Sequence, residues 1–203
     1  MGGPIGRPVF ADAQTGWLGA FCNQPALYRT HDGGISWEQQ TIPSFPGNPP
    51  SAVEAPYLQY NVDSIQRLSS TDAFFVLHRG VTTGGGALQE AALYFTHDGG
   101  VSWTAFRLPA AELAADFVDP LHGWMIAAGP GGDTETRSLY GTTDGGRSWP
   151  FLDGPATFFD RELSFGDAST GLIAVQAVKD QPPQLLRTAD GGRSWGRLTP
   201  VVD

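Results

Sequence analysis

Apolar and aromatic residues occur along the chain in short runs, separated by clusters of glycine, proline and aspartate. Trp124 to Ala128 and Leu172 to Ala177 are typical runs. Runs of about four to seven apolar residues between turn-forming residues are typical of β-strands. No window carries the apolar stripe of an amphipathic helix, and Ala110 to Ala115 could form about one helical turn at most. The pattern therefore predicts an all-β protein.

Four stretches of the chain repeat one another: LYRTHDGGISW, LYFTHDGGVSW, LYGTTDGGRSW and LLRTADGGRSW. Each contains T-x-D-G-G-x-S-W, and the four aspartates are 66, 46 and 46 residues apart. A second element precedes each stretch and reads F-A-D-A-Q-T-G-W from Phe10, F-V-D-P-L-H-G-W from Phe117 and F-G-D-A-S-T-G-L from Phe165, with a degenerate copy, L-S-S-T-D-A-F-F, from Leu68. Each module thus predicts two hairpins, with a tight Asp/Gly turn in the first and the D-G-G turn in the second. Four antiparallel strands in about 46 residues are typical of a β-propeller blade.

The repeats predict one β-propeller domain over residues 1–203. The modules run over about 8–43, 64–109, 113–155 and 161–200, with a Pro-rich inserted loop at 43–63. The four modules either close as a four-bladed ring or form an arc of a larger or dimeric ring, and the sequence leaves both open. An arc would expose the apolar flanks of its two terminal blades, which a second copy of the chain or further blades would cover.

The repeated octets resemble the Asp-box, also called the BNR repeat, S/T-x-D-x-G-x-x-W, which occurs in sialidases, sortilin-type receptors and certain glycoside hydrolases. The longer module, in which F-x-D-x-x-x-G-W precedes the box, is most similar to the photosystem II stability and assembly-factor family. The resemblance implies a propeller in which the boxes are structural turns. The structural positions are Thr30, Asp32, Gly34, Trp37, Thr96, Asp98, Gly100, Trp103, Thr142, Asp144, Gly146, Trp149, Thr188, Asp190, Gly192 and Trp195.

The residue types of the box point to the same structural role. Each aspartate can accept hydrogen bonds from the amides of its own turn, and each threonine hydroxyl can satisfy another turn group. Each box tryptophan is expected to pack in the seam between neighbouring blades. A calcium or phosphate loop would need convergent oxygen ligands or a helix N-terminus, and the pattern indicates neither. No metal and no cofactor is predicted.

One face of the predicted propeller carries most of the variation. Its connections include Val81 to Glu90, Pro130 to Ser138, Val178 to Gln184 and the 20-residue excess between the first two boxes, where five prolines accompany two tyrosines. Loops on a rigid scaffold often carry function, so this face is the predicted recognition surface. Permissive surface insertions are the alternative. The candidate binding residues are Tyr57, Tyr60, Glu90, Asp133, Glu135, Asp160 and Glu162.

These features favour a non-enzymatic protein-binding or assembly scaffold, since resemblance to the assembly factors implies a protein partner without catalysis. The alternative is a carbohydrate-active propeller, a glycoside hydrolase or a lectin, because two carboxylates on the variable face could form a hydrolytic pair. A third possibility is a structural fragment of a longer protein with its site elsewhere. A complete sialidase would carry an F-R-I-P-like motif before the first box, and the sequence before Thr30 has none. No catalytic residue is predicted.

Composition narrows the range of partners. The net charge of −9 and the pI of about 4.7 repel phosphate backbones and anionic lipids, which argues against a nucleic-acid partner. No apolar run approaches the ~18–20 residues that span a bilayer. The first ten residues lack the basic and apolar regions of a signal peptide, and the single cysteine, Cys22, excludes an internal disulfide. Resemblance to exported Asp-box proteins nevertheless implies an extracytoplasmic location.

Overall fold

The structure, a computed structural model, describes residues 6–20, 26–47, 58–83, 86–110, 112–128, 137–152, 163–175 and 183–198. The chain divides into two compact units, Met1–Pro109 and Ala110–Asp203. Each unit contains two four-stranded antiparallel sheets, and the described residues contain no helix. The all-β prediction is confirmed.

The first unit contains the sheets that we name blade 1 and blade 2. Consecutive strands pair in each sheet, so that each blade is a meander. Blade 1 consists of β1 (Val9–Phe10), β2 (Gly16–Ala20), β3 (Ala26–Thr30) and β4 (Glu38–Gln39). Blade 2 consists of β5 (Leu58–Arg67), β6 (Ala73–Thr83), β7 (Gly86–Thr96) and β8 (Thr104–Arg107).

The second unit contains blade 3 and blade 4, which have the same meander order. Blade 3 consists of β9 (Glu112–Phe117), β10 (Gly123–Ala128), β11 (Arg137–Thr142) and β12 (Phe151–Leu152). Blade 4 consists of β13 (Leu163–Phe165), β14 (Gly171–Val175), β15 (Gln184–Thr188) and β16 (Gly196–Leu198). In each blade the strand order is the one that the repeated modules predict.

A hydrophobic core lies between the two blades of each unit. In the first unit Trp17 and Leu27 of blade 1 belong to one cluster with Phe75 and Tyr94 of blade 2. In the second unit the cluster joins the two blades in the same way, and its buried members are Trp124, Ile126, Leu139, Phe165 and Ile173. Burial of these large side chains is the main contribution to the stability of each unit.

Three predicted segments differ from the structure. Strand β5 begins at Leu58, inside the predicted Pro-rich loop, because apolar residues alternate with polar ones at Leu58, Tyr60 and Val62. Strands β6 and β7 pair as far as Thr83 and Gly86, so most of the predicted loop Val81 to Glu90 is strand. The segment Ala110 to Ala115, which could form about one helical turn at most, is largely taken up by strand β9.

Candidate functional site

The four D-G-G turns share one hydrogen-bond arrangement. In the first turn Thr30 Oγ1 donates to Asp32 Oδ1 at 2.8 Å and accepts from the Gly34 amide at 2.9 Å. Asp32 Oδ1 also accepts from the Ser36 amide at 2.9 Å, and Oδ2 accepts from the Ser36 hydroxyl at 2.6 Å. The same bonds recur in the other three boxes, around Asp98, Asp144 and Asp190. The aspartate and the threonine therefore make the bonds that the sequence predicts.

These bonds also determine the charge of the box aspartates. Hydrogen bonds from the hydroxyl and then the amide of the box serine lower the pKa of Asp32, Asp144 and Asp190 to about 2. The corresponding bonds from Ser102 hold the pKa of Asp98 well below its ordinary value. Each carboxylate is thus ionised at neutral pH, and each is bound within its own turn. This supports a structural role for the boxes.

The first turn of each module is closed by a similar side-chain cap. Asp12 Oδ1 accepts from the amides of Gln14 and Thr15 at 2.8 and 2.7 Å. The same pair of bonds occurs at Asp119 and at Asp167. In the degenerate second copy the Ser69 hydroxyl accepts from the amides two and three residues later, at 3.1 and 2.9 Å. A serine therefore replaces the aspartate as the acceptor there.

The cores between blades are filled by tryptophans from both modules that meet there. The box tryptophan Trp103 belongs to the first core, and Trp195 packs against the second. The tryptophan of the G-W pair, whose role the sequence analysis missed, lies over the D-G-G turn of the next blade. Trp124 Nε1 donates to the Gly191 carbonyl at 2.9 Å. A Cβ at Gly100 would lie only 2.7 Å from Trp17 Nε1, so this approach requires glycine.

Two of the predicted binding residues, Tyr60 and Glu90, lie in one row across blade 2. Tyr60 is paired with Arg79, and Arg79 with Glu90, on the adjacent strands β5, β6 and β7. Arg79 Nε donates to Glu90 Oε2 at 2.8 Å, its Nη2 donates to the same oxygen, and Arg107 Nη2 donates to Oε1. The side chains of Arg79 and Glu90 are 8% and 12% exposed, whereas that of Arg107 is 51% exposed. Glu90 is therefore the centre of a largely buried ion-pair network.

The beginning of the predicted Pro-rich loop packs against this network. The guanidinium carbon of Arg79 lies 4.3 Å from the centroid of the Phe45 ring. The Tyr94 hydroxyl donates to the Pro43 carbonyl at 3.1 Å, and burial raises the pKa of Tyr94, so that the hydroxyl stays a neutral donor. Ile42 and Phe45 pack against the first core. Residues 43–47 are thus held against blade 2, because apolar side chains of the proline-rich segment pack against the core.

Among the described residues, the ladder between the second and third strands is longer in blade 2 than in the other three blades. The β6–β7 ladder extends ten residues before the box threonine, from Thr96 to Gly86, whereas the corresponding ladders extend four or five residues. At about 3.3 Å per residue, the difference amounts to roughly 16–20 Å. We name residues 79–83 and 86–90 the arm. The Arg79–Glu90 pair lies at its base.

The outer edge of the arm differs from that of an ordinary blade. Strand β8 pairs with β7 only over Ala92 to Phe95, and the Leu108 amide adds one bond, of 2.9 Å, to the Ala91 carbonyl. Among the residues that the structure describes, no strand pairs with this side of β7 over 86–90. With respect to the described strands, β7 over 86–90 is therefore an edge.

The remaining predicted binding residues lie outside the described residues. They are Tyr57, Asp133, Glu135, Asp160 and Glu162. The sequence analysis missed Arg79, Arg107 and Phe45; the available signal was an arginine within the apolar strand AFFVLHRG, which pairs with an acidic residue. Within the described ranges, no three His, Cys, Asp or Glu residues form a group that could hold a metal ion. The described part of the chain likewise contains no helix long and apolar enough to cross a membrane.

Comparison with known proteins supports the fold. The model of the BNR/Asp-box repeat matches residues 28–39, and no curated protein matches the chain in sequence. YCF48 from Cyanidioschyzon merolae aligns with a TM-score of 0.51 and 16% identity over 89% of this chain and 55% of its own length. The GH74 enzyme of Niastella koreensis aligns with a TM-score of 0.53 and 14% identity over 95% of this chain and 29% of its own.

The chain thus spans about half the length of the first neighbour and less than a third of the second. At these identities the likeness concerns the fold alone. The matched repeat and the recurrence of its geometry in all four modules agree with that fold. The chain therefore contains a match to the BNR/Asp-box repeat, over residues 28–39, and has a β-propeller fold.

Proposed function

We propose that the protein is a non-enzymatic binding scaffold that takes up an extended segment of a partner protein along the outer edge of β7 in the arm. The observation that carries this proposal is the strand edge over 86–90, which β8 does not cover. The resemblance of the modules to an assembly-factor family supports the same class of function. On the resemblance to exported Asp-box proteins, we place this activity outside the cytoplasm.

The backbone of β7 presents its polar groups in a regular order. The bond from the Leu108 amide shows that the backbone groups of Ala91 point towards the outer edge. Because these groups alternate along a strand, those of Gln89 and Ala87 point the same way, and those of Leu88 and Glu90 point towards β6. A partner strand would therefore form main-chain hydrogen bonds with Ala87 and Gln89, as in other cases of strand addition.

The network at the base of the arm prepares it for this role. Both oxygens of Glu90 accept bonds from guanidinium groups, one from β6 and one from the end of β8. These bonds join three strands where the arm leaves the body of the blade. A strand edge that is ordered before binding loses less conformational entropy when a partner is added. The net charge of −9 favours a partner segment that is basic.

A selection from a random-peptide display library on the immobilised protein tests this proposal. The affinity of a selected peptide would be measured by calorimetry for the wild type, Gln89→Pro and Gln89→Ala. Proline removes the amide that points outwards and leaves the bonds to β6, so Gln89→Pro should weaken binding by about tenfold or more. Gln89→Ala keeps the amide and should bind within about twofold of the wild type. A failure to select any peptide, or equal binding by the proline variant, would contradict the proposal.

The carbohydrate-active alternative depends on acidic residues outside the described ranges. Among the described candidates, Glu90 has both oxygens bound to arginines. General acid or base catalysis needs a carboxyl group that can exchange a proton with the substrate. The environment of Glu90 therefore favours anchoring of the arm over hydrolysis.

A further inference from the structure

The tryptophan of the G-W pair makes different hydrogen bonds in the two units. In the second unit Trp124 Nε1 donates to the Gly191 carbonyl of the next blade at 2.9 Å. Trp17 is the equivalent residue in the first unit, where it packs between blades 1 and 2 and is 1% exposed. Its Nε1 is buried and has no hydrogen-bond partner among the described residues. One buried donor between blades 1 and 2 is thus unsatisfied.

A second unsatisfied donor, on Arg29, lies beside the first. Arg29 on β3 pairs with Trp17 on β2, and its guanidinium carbon is 6.0 Å from the centre of the indole ring. Arg29 is half-buried, and its Nε is buried and has no hydrogen-bond partner among the described residues. No ion pair joins Arg29 to a carboxylate of the described part of the chain, although Glu38 is its neighbour on β4. In blade 3 the residue that pairs with Trp124 is Gly141, so the second unit has no such cation.

Both side chains approach the same turn of blade 2. A Cβ at Gly100 would lie 2.7 Å from Trp17 Nε1, and a Cβ at Gly99 would lie 3.7 Å from Arg29 Nη2. Consecutive Cα atoms are only about 3.8 Å apart. The indole and the guanidinium group therefore meet at one D-G-G turn.

The box tryptophan of blade 2 adds a third unsatisfied donor between these blades. In the other three boxes the indole Nε1 donates to the carbonyl of the second glycine at 3.1 Å. Trp103 instead packs edge-on against Phe75, with 4.9 Å between the ring centres, and it belongs to the same buried cluster as Trp17. Trp103 is 7% exposed, and its Nε1 has no hydrogen-bond partner among the described residues. Blades 1 and 2 thus bury three N–H donors between them without an acceptor from the described chain.

This set of groups determines the kind of ligand that would fit. Indole and guanidinium groups donate hydrogen bonds and accept none, so the ligand must be an acceptor. A poorly solvated guanidinium without a counter-charge is costly, so a negative charge on the ligand is favoured. The close approach of Trp17 leaves no room for a methyl group on Gly100, which favours a small ligand. These requirements together describe a monatomic anion.

We propose that a chloride-sized anion binds between blades 1 and 2, where it accepts hydrogen bonds from Trp17 Nε1 and Arg29 Nε. The ion connects blade 1 to the D-G-G turn of blade 2 and balances the charge of Arg29. This site lies at the box end of β7, and the arm lies at the other end of that strand. The inference is therefore independent of the proposed function.

A chloride titration of the wild-type protein, followed by NMR of the tryptophan indole groups, tests the site. Chloride replaces gluconate at constant ionic strength, up to about 300 mM, so that screening stays the same. The indole N–H signal of Trp17 should shift and reach saturation, because this group gains a charged acceptor. The signal of Trp124 is the internal control and should stay in place, since its N–H already donates to the Gly191 carbonyl. An unchanged Trp17 signal would overturn the inference.

Two arginine variants test the role of the charge. Arg29→Gln removes the cation and should weaken chloride binding by about tenfold or more. Arg187→Gln is the matched control, because Arg187 has the same position in blade 4 but pairs with Leu172, whose side chain has no N–H. It should bind chloride as the wild type does, and circular dichroism checks that both variants are folded. Equal chloride affinity of Arg29→Gln and the wild type would overturn the inference.

Discussion

Phenylalanine and glycine form one structural pair at the first turn of the module. Phe10, Phe117 and Phe165 each lie opposite a glycine on the next strand. A Cβ on these glycines would lie 2.5 to 2.9 Å from the ring carbons. In the degenerate second copy Arg67 replaces the phenylalanine and Ala73 the glycine. The pair explains why both positions differ together in that copy.

The pair leads to a stability prediction for blade 4. Gly171→Ala forces the new methyl group to within 2.6 Å of the Phe165 ring and should lower the free energy of unfolding by about 1–3 kcal/mol. Gly166→Ala is the matched control in the same turn, since its Cβ would meet no atom within 4 Å. Urea unfolding of the two variants measures the difference. Equal losses would show that the ring contact does not require glycine.

The box aspartates lead to a prediction about acid stability. Their pKa values in the folded protein, about 2 for Asp32, Asp144 and Asp190, lie below the ordinary value of 3.8. Groups with a lowered folded pKa stabilise the fold above the unfolded pKa, and this stability is lost as the pH falls towards the folded value. The melting temperature should therefore fall steeply between about pH 4 and pH 2.

A single substitution separates this effect from general acid denaturation. Asp144→Asn should melt below the wild type at pH 7, and the difference should narrow between about pH 4 and pH 2, because the wild-type carboxylate becomes protonated there. Glu38→Gln removes one negative charge at an exposed position outside the box turns and serves as the control. A constant difference between Asp144→Asn and the wild type at every pH would contradict the assignment.

The arm depends on two contacts to one carboxylate, and the two arginines that make them differ in burial. Arg79 is buried, so Glu90→Gln removes a charged partner from its guanidinium in a poorly solvated position and should cost about 3 kcal/mol or more. Arg107 is half exposed, and Arg107→Gln should cost less than about 1 kcal/mol. Urea unfolding measures both values. If both variants lost a similar free energy of unfolding, the burial of Arg79 would not be the reason that the network stabilises the arm.

Sequence patterns predicted most elements but not the arm. The repeated octets and the Asp/Gly turns define the strands of all four blades, since each octet determines one turn and its two flanking strands. The run of glycines at 84–86 indicated a loop, although the β-branched residues before it, Val81 to Thr83, continue a strand. The many prolines indicated a surface loop, so the burial of Ile42 and Phe45 was not predicted. Their burial depends on a core that is formed by both blades of the unit. Such long-range contacts have no local signature.

In the molecule as a whole, the sequence does not distinguish blade faces that are fully buried from blade faces that are only half-buried. Leu18 and Tyr28 are of the same kind as the buried Ile173 and Tyr94, and only the structure shows that they are half-buried. The pattern of apolar residues indicates that a face can pack against another surface, but it does not indicate which surface covers it.

We propose that the arm binds a partner strand through its main chain. Amide hydrogen exchange of the arm, measured by NMR with and without a saturating selected peptide, tests it most directly. Leu88 and Glu90, whose amides point to β6, should change little, whereas Ala87 and Gln89 should gain at least about tenfold protection, because bound amides exchange only when the partner strand opens. Unchanged exchange at Ala87 and Gln89 in the saturated complex would contradict the account.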